Sequence, residues 1–206
     1  MKNEPKLSSY IDKAVYDYKM IESGDRILIG ASGGKDSTAL IKYFSERKKR
    51  PDENFEYKAL NIKSEISGGL SEGILSLFEK WEVPFDVIDI EVLARLKPGR
   101  KMNCYWCSTQ RRTELLNFAL SNGYNKIALG HHHDDILETL LMNMLNKAQL
   151  ATMPPRLKYE KYPVEIIRPL CYVSEETLIE YAKKDGYFGY TCTCNYQENS
   201  ERKKAR

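Results

Sequence analysis

Three clusters of side chains in this 206-residue chain are suited to chemistry. The first is Ser32-Gly33-Gly34-Lys35-Asp36-Ser37. Glycines let a backbone turn tightly and approach a ligand closely. A helix starting here would add unpaired N–H groups and the positive end of its dipole. Ser32 and Ser37 supply hydroxyl donors, and Lys35, read as an exposed loop residue, supplies a mobile positive charge. Together they make a phosphate cradle. Its spacing matches neither G-x-x-x-x-G-K-S/T nor G-x-G-x-x-G. The plainer alternative is a glycine turn in which Asp36 or Ser37 caps a helix.

The second cluster is Gly130-His131-His132-His133-Asp134-Asp135, which holds all three histidines of the chain. Consecutive side chains diverge on a strand or a helix, so the histidines alone do not form a metal site. Asp134 and Asp135 are hard oxygen ligands suited to Mg2+ on a nucleotide. The competing reading is a capping box built on Asp135 and Glu138. The third cluster is the cysteines: Cys104, Cys107, Cys171, Cys192 and Cys194. Their odd number, with no export signal, argues against a disulfide framework. Cys104-x-x-Cys107 suits a redox dithiol, half of a zinc site or part of an iron–sulfur site. Cys192-x-Cys194 is too closely spaced for a usual zinc knuckle. Cys171 ends an apolar strand and reads as a small buried residue.

These clusters must be held by regular elements. Helical spacing runs over 8–22, 36–48, 69–82, 108–122, 136–145 and 174–185. Strands are predicted at 26–32, 55–62, 84–90, 125–130 and 164–170. Stretches 92–103 and 147–163 read as loops, and 136–145 as a strongly amphipathic helix. The alternation predicts an α/β, doubly wound, parallel five-stranded sheet. Ligands bind such sheets outside the carboxyl ends of the strands. Both the cradle and the Asp-Asp pair follow strands.

Hydrophobic residues make up 42% and charged residues 30%, as in ordinary soluble domains. No apolar run suits a membrane span or a signal peptide, so a cytoplasmic protein without membrane contact is expected. The expected organisation is a single domain over 1–206, with an N-terminal helix at 1–22 and a cysteine-containing tail at 186–206. A net charge of +3 permits nucleic-acid binding without requiring it.

Strand, SGGKDS and helix together resemble the PP-loop of the ATP pyrophosphatases (the adenine nucleotide alpha hydrolase-like fold). That resemblance implies ATP, Mg2+, transfer of AMP to a substrate oxygen and release of pyrophosphate. The stretches DYKMIESGDRILIGASGGKDS, GHHHDDILETLLMNM, MPPRL and IIRPL narrow it. In that order they resemble the tRNA 2-thiocytidine synthetase family over roughly residues 10–202. The resemblance implies a 4Fe–4S cluster on Cys104, Cys107 and a third cysteine. Cys194 matches, because Cys194, Gln197, Asn199 and Arg202 keep the family's C-x-x-Q-x-N-x-x-R spacing. It implies ATP over Ala31, Ser32, Gly33, Gly34, Lys35, Asp36, Ser37, Gly130 and His131. Lys35, Asp36, Asp134 and Asp135 are the expected catalytic residues, with Mg2+ on Asp36 and on Asp134 or Asp135. The implied reaction is 2-thiolation of a tRNA pyrimidine: its C2 oxygen is adenylated, and sulfur carried on the cluster displaces AMP. A cysteine desulfurase or inorganic sulfide would supply the sulfur.

Two departures stand out. The family places an Asp after the second strand, where this chain has Lys63, with Glu65 as the available substitute. Its termini are short for the family, so RNA contacts are expected to be reduced or shared in a homodimer. Basic residues Lys97, Arg100, Lys101, Arg111 and Arg112 bracket the C-x-x-C, and Arg100, Lys101, Arg111 and Arg112 are the expected RNA contacts. Tyr105 is available to stack on a base, whereas Trp106 reads as packing. The alternatives are an adenylating enzyme with another substrate or nucleophile, or a regulatory protein that binds ATP and a cluster without catalysis.

Overall fold

Strand β1 (Asp25–Gly30) is buried almost throughout, as expected of a parallel strand covered on both faces. In the computed structural model, which describes residues 6–97, 99–159 and 162–190, β1 lies inside a six-stranded sheet. Its order is β3 (Phe85–Ile90), β2 (Phe55–Ser64), β1, β4 (Lys126–Ala128), β6 (Glu165–Ile167), β5 (Arg156–Lys158). The pairs from β3 to β6 are parallel, and only β5 runs antiparallel. The expected five strands are therefore present and a sixth is added. Strand β5 comes from the stretch read as a loop at 147–163. It is short and paired on one side, so no period could reveal it. Arg156 Nε donates to Glu165 Oε2 at 2.6 Å and pins it to β6.

Helices α1 (Leu7–Asp17), α2 (Lys35–Lys48), α3 (Glu72–Lys80) and α6 (Glu175–Lys184) cover one face of the sheet. Ile29, Phe44, Phe78 and Leu178 are core residues there. Helix α4 (Cys104–Ser121) covers the other face, over Leu28, Leu60, Ile127 and Ile166. The sheet is thus doubly wound. Its register aligns Gly30 with Leu60, Ile29 with Ala128, and Ala128 with Ile167. The segments after β1, β2, β4 and β6 consequently emerge at one edge.

Two helices depart from the sequence reading. Helix α4 starts at Cys104 rather than at 108, because Asn103 caps it: its Oδ1 accepts from Trp106 N at 2.8 Å. Helix α5 (His133–Lys147) has no fully buried residue. Its apolar face exists, but Leu137, Leu141, Met144 and Leu145 remain 45%, 48%, 43% and 78% exposed. Periodicity locates an apolar stripe without saying what covers it. Among the described residues, no helix is long and apolar enough to cross a membrane.

Candidate functional site

The segment leaving β1 makes the turn that its sequence predicts. Gly33 sits at φ +79°, a left-handed conformation that disfavours a side chain. Ser32 Oγ lies 3.0 Å from Ser37 Oγ and accepts from Gly34 N at 3.3 Å. Ser37 and Thr38 hydroxyls donate to Gly34 O at 3.1 and 3.0 Å. The first turn of α2 is thereby fastened back onto the loop. Ala31 is buried.

Lys35 is not the exposed loop residue expected. It opens α2, and its side chain is only 15% exposed. Its Nζ lies 3.1 Å from Asp36 Oδ1 and 3.2 Å from Glu175 Oε1. Glu175 is the first residue of α6, and local sequence gives no hint of a contact spanning 140 positions. Burial pushes the Asp36 carboxyl above the usual carboxylate range, against the pull of Lys35 and His132. The charge of Asp135 pushes it the same way. Two carboxylates that repel each other beside a phosphate cradle leave a place for a cation.

The loop after β4 meets this one backbone to backbone. A Cβ on Gly130 would lie 3.0 Å from Ser37 N and 3.2 Å from the carbonyl carbon of Asp36. Only glycine permits that approach. Asp135 accepts from His132 N at 3.1 Å, so the cap of α5 is built on His132 and Asp135 rather than on Asp135 and Glu138. Asp134 Oδ2 accepts from Glu175 N at 2.8 Å and so caps α6. Each aspartate therefore has a structural job in addition to its charge. Among the described residues, no three His, Cys, Asp or Glu side chains converge into a ready metal cage. The donor set still suits Mg2+, which commonly takes one or two carboxylates and completes its shell with phosphates and water.

On the α4 face lies a cavity of about 240 Å3, with Leu60, Ile62, Leu115 and Leu129 as apolar walls. Ser32 and His131 form its polar corner, and Arg111 and Arg112 stand at its α4 side. Arg100 and Lys101 are exposed on the segment before α4 and do not line it. Cys104 and Cys107 lie in the first turn of α4, not ahead of it as the sequence reading had them. At i and i+3 they share one helix face. Cys104 is half-buried, Cys107 is buried, and neither is in a disulfide. Trp106 packs beneath α4, with its indole N–H 3.4 Å from Val92 O, while Tyr105 is 80% exposed. Burial pushes the Cys171 thiol up to about 11, which leaves it protonated and inert. Cys192 and Cys194 lie outside the described residues.

Neither residue considered for the family's Asp fills that role. Lys63 points to Asp89, at 3.2 Å. Glu65 is taken up by Val92 N and Leu93 N, which donate to its oxygens at 3.0 and 2.5 Å.

The profile of the PP-loop domain family matches residues 3–206. The tRNA-cytidine(32) 2-sulfurtransferase of Legionella pneumophila (strain Paris) is 35% identical over 205 residues, 98% of this chain and 72% of that protein. Its counterpart in Stenotrophomonas maltophilia (strain R551-3) is 36% identical over 202 residues, 96% of this chain and 68% of that protein. Among solved structures, the U34-tRNA thiolase NcsA from Methanococcus maripaludis with its 4Fe–4S cluster gives a TM-score of 0.79 at 21% identity. The match covers 97% of this chain and 69% of that one, and it is a likeness of fold. NMN synthetase from Francisella tularensis gives 0.54 at 16% identity, over 90% of this chain and 75% of that one.

Proposed function

The chain belongs to the PP-loop family and, through those relatives, to the family of tRNA-cytidine(32) 2-sulfurtransferases, and from that premise we propose how its residues thiolate tRNA. ATP lies with its base in the cavity walled by Leu60, Ile62, Leu115 and Leu129, and with its phosphates over residues 32–37. Ser32, Ser37 and the first N–H groups of α2 receive the phosphates. Lys35 leaves Glu175 to neutralise charge on the departing pyrophosphate. Asp36, with Asp134 or Asp135, would hold Mg2+, which would supply further charge neutralisation. The C2 oxygen of a pyrimidine attacks the α-phosphorus, and the bond to the β-phosphate oxygen breaks. A sulfur nucleophile then adds at C2, and AMP leaves with the former C2 oxygen. The protein contributes positioning and preorganised charge.

Cys104 and Cys107, soft thiolate donors on one helix face, fit a 4Fe–4S cluster completed by Cys194, which would supply an open iron for the incoming sulfur. Arg100, Lys101, Arg111 and Arg112 would hold the tRNA. A cysteine desulfurase or inorganic sulfide serves as donor, and the reducing cytoplasm suits these thiols. A second copy of the chain would pack on the exposed face of α5.

The observation that carries this reading is the meeting of the 32–37 loop with Gly130, beside a cavity whose wall is the cysteine-bearing helix. Incubation with ATP and tRNA should release AMP and pyrophosphate, and nucleosides from cells lacking the protein should lack 2-thiocytidine. The occupation of Lys63 and Glu65 elsewhere favours one rival, a protein that binds ATP and a cluster without catalysis. ATP binding with no RNA-dependent AMP would establish that rival.

A further inference from the structure

Arg168 directly follows β6, at the edge where the site lies. It is 7% exposed. Its Nη1 donates to Pro154 O at 2.5 Å, while its Nε is buried without a hydrogen bond. The other well-buried arginines are met by carboxylates: Arg47 by Asp12 and Glu53, Arg156 by Glu22 and Glu165. Among the described residues, Arg168 has no such partner. A buried cation costs much more than it returns unless an anion meets it, and arginine does not escape by losing its proton.

Its position says which anion. Ile166 packs under α4 and Ile167 on the opposite face, so alternation turns Arg168 toward α4. Arg112 of α4 is near enough to oppose its charge, and Arg112 also lines the nucleotide cavity. Two guanidinium groups, neither with an ion pair among the described residues, suit the planar fork of a phosphate. The phosphates of ATP already have a cradle at the start of α2, a helix whose body packs on the other face of the sheet. What remains on the α4 face, beside the helix that carries Cys104 and Cys107, is the substrate. We propose that Arg168, with Arg112 beside it, forms a phosphate-binding subsite that grips a backbone phosphodiester of the RNA substrate next to the nucleotide cavity. The proposal rests on the RNA-thiolating reading above.

The test is Arg168→Met in the full chain, compared with wild type in three measurements: tRNA affinity across a salt series, ATP affinity, and the thermal midpoint with and without inorganic phosphate. The expected result is a roughly ten-fold or greater loss of tRNA affinity with a salt slope shallower by about one, and unchanged ATP affinity. The ligand-free midpoint should hold or rise, since an unpaired charge has been removed. Phosphate should raise the midpoint of wild type but not of the variant. Arg112→Gln, on an exposed residue, should reproduce the shallower slope, and Arg168→Lys, which keeps the charge but loses the fork, decides the matter if the methionine variant does not fold: it should lose tRNA affinity with the slope unchanged. An unchanged tRNA affinity and slope would overturn the subsite. So would a loss confined to ATP, which would assign the arginine to the nucleotide. A lower midpoint with tRNA binding intact would make Arg168 a structural cation and also overturn it. Wild-type protein that binds no tRNA would overturn both the subsite and the reading beneath it.

Discussion

Replacing Gly130 by alanine tests whether the two loops of the site act as one unit. The added methyl would sit 3.0 Å from Ser37 N and 3.2 Å from the carbonyl carbon of Asp36, where ordinary contact begins near 3.4 Å. Both neighbours are backbone, so no side chain can swing aside. The loops must separate by about 0.4 Å, a strain on the order of 1–3 kcal/mol. For a chain of this size that lowers the thermal midpoint by roughly 2–12 °C. A displacement of 1 Å can cost about a hundred-fold in rate, so 0.4 Å scales to roughly a five- to ten-fold loss. The assay is tRNA-dependent AMP release at saturating ATP, at a temperature well below the midpoint of the variant. Gly68→Ala is the control, because its methyl would meet nothing within 4 Å. If Gly130→Ala turns over at the wild-type rate while its midpoint falls, the approach of the loops serves the fold alone. If neither quantity changes, the close contact itself is refuted.

Other substitutions separate charge from structure. Asp134→Asn and Asp135→Asn keep a side-chain oxygen that can accept the Glu175 and His132 N–H groups but lose charge, so the fold should hold while Mg2+-dependent activity falls; full activity in the double variant would leave both residues as caps only. Burial raises the folded-state pKa of Asp36 above its ordinary value, so folding binds a proton and stability is lost as pH rises through that pKa. Asp36→Asn should therefore be more stable than ligand-free wild type at neutral pH, with a flatter profile of midpoint against pH, yet inactive; a less stable variant would refute the assignment of its shift to burial. Anaerobically purified protein should be brown with about four irons per chain, lose that colour in Cys104→Ala, Cys107→Ala and Cys194→Ala, and keep it in Cys171→Ala and Cys192→Ala. A colourless protein with one zinc, or a cluster dependent on Cys192 and not Cys194, would sink that ligand set.

What the sequence could reveal follows from the range of the forces involved. The turn of the phosphate loop and the His132–Asp135 cap rest on contacts within six residues, so their residue types announce them. The start of α4 was legible in principle, since Asn103 is a good cap, but Cys104, Tyr105 and Trp106 are indifferent helix formers and masked it. The Lys35–Glu175 pair and the burial of Arg168 without an ion pair among the described residues depend on distant segments sharing one edge. No local pattern encodes either. The exposed face of α5 is the converse case: its period is clear, but burial depends on a partner surface that periodicity cannot specify.

The Lys35–Glu175 pair also explains how this site can be both charged and folded before ATP arrives. Lys35 is held between Asp36 and Glu175, so its charge is neutralised within the protein. Asp134 holds the backbone of Glu175 and sits one residue from Asp135, whose charge reaches Asp36. One chain of contacts therefore links the phosphate loop, the start of α5 and the start of α6. Phosphates entering the cradle compete with Glu175 for Lys35, and a cation entering with them relieves the repulsion between Asp36 and Asp135. Each half of a metal–nucleotide complex thus removes a cost that the other half alone would leave. The site should bind ATP and Mg2+ together more tightly than the separate affinities predict.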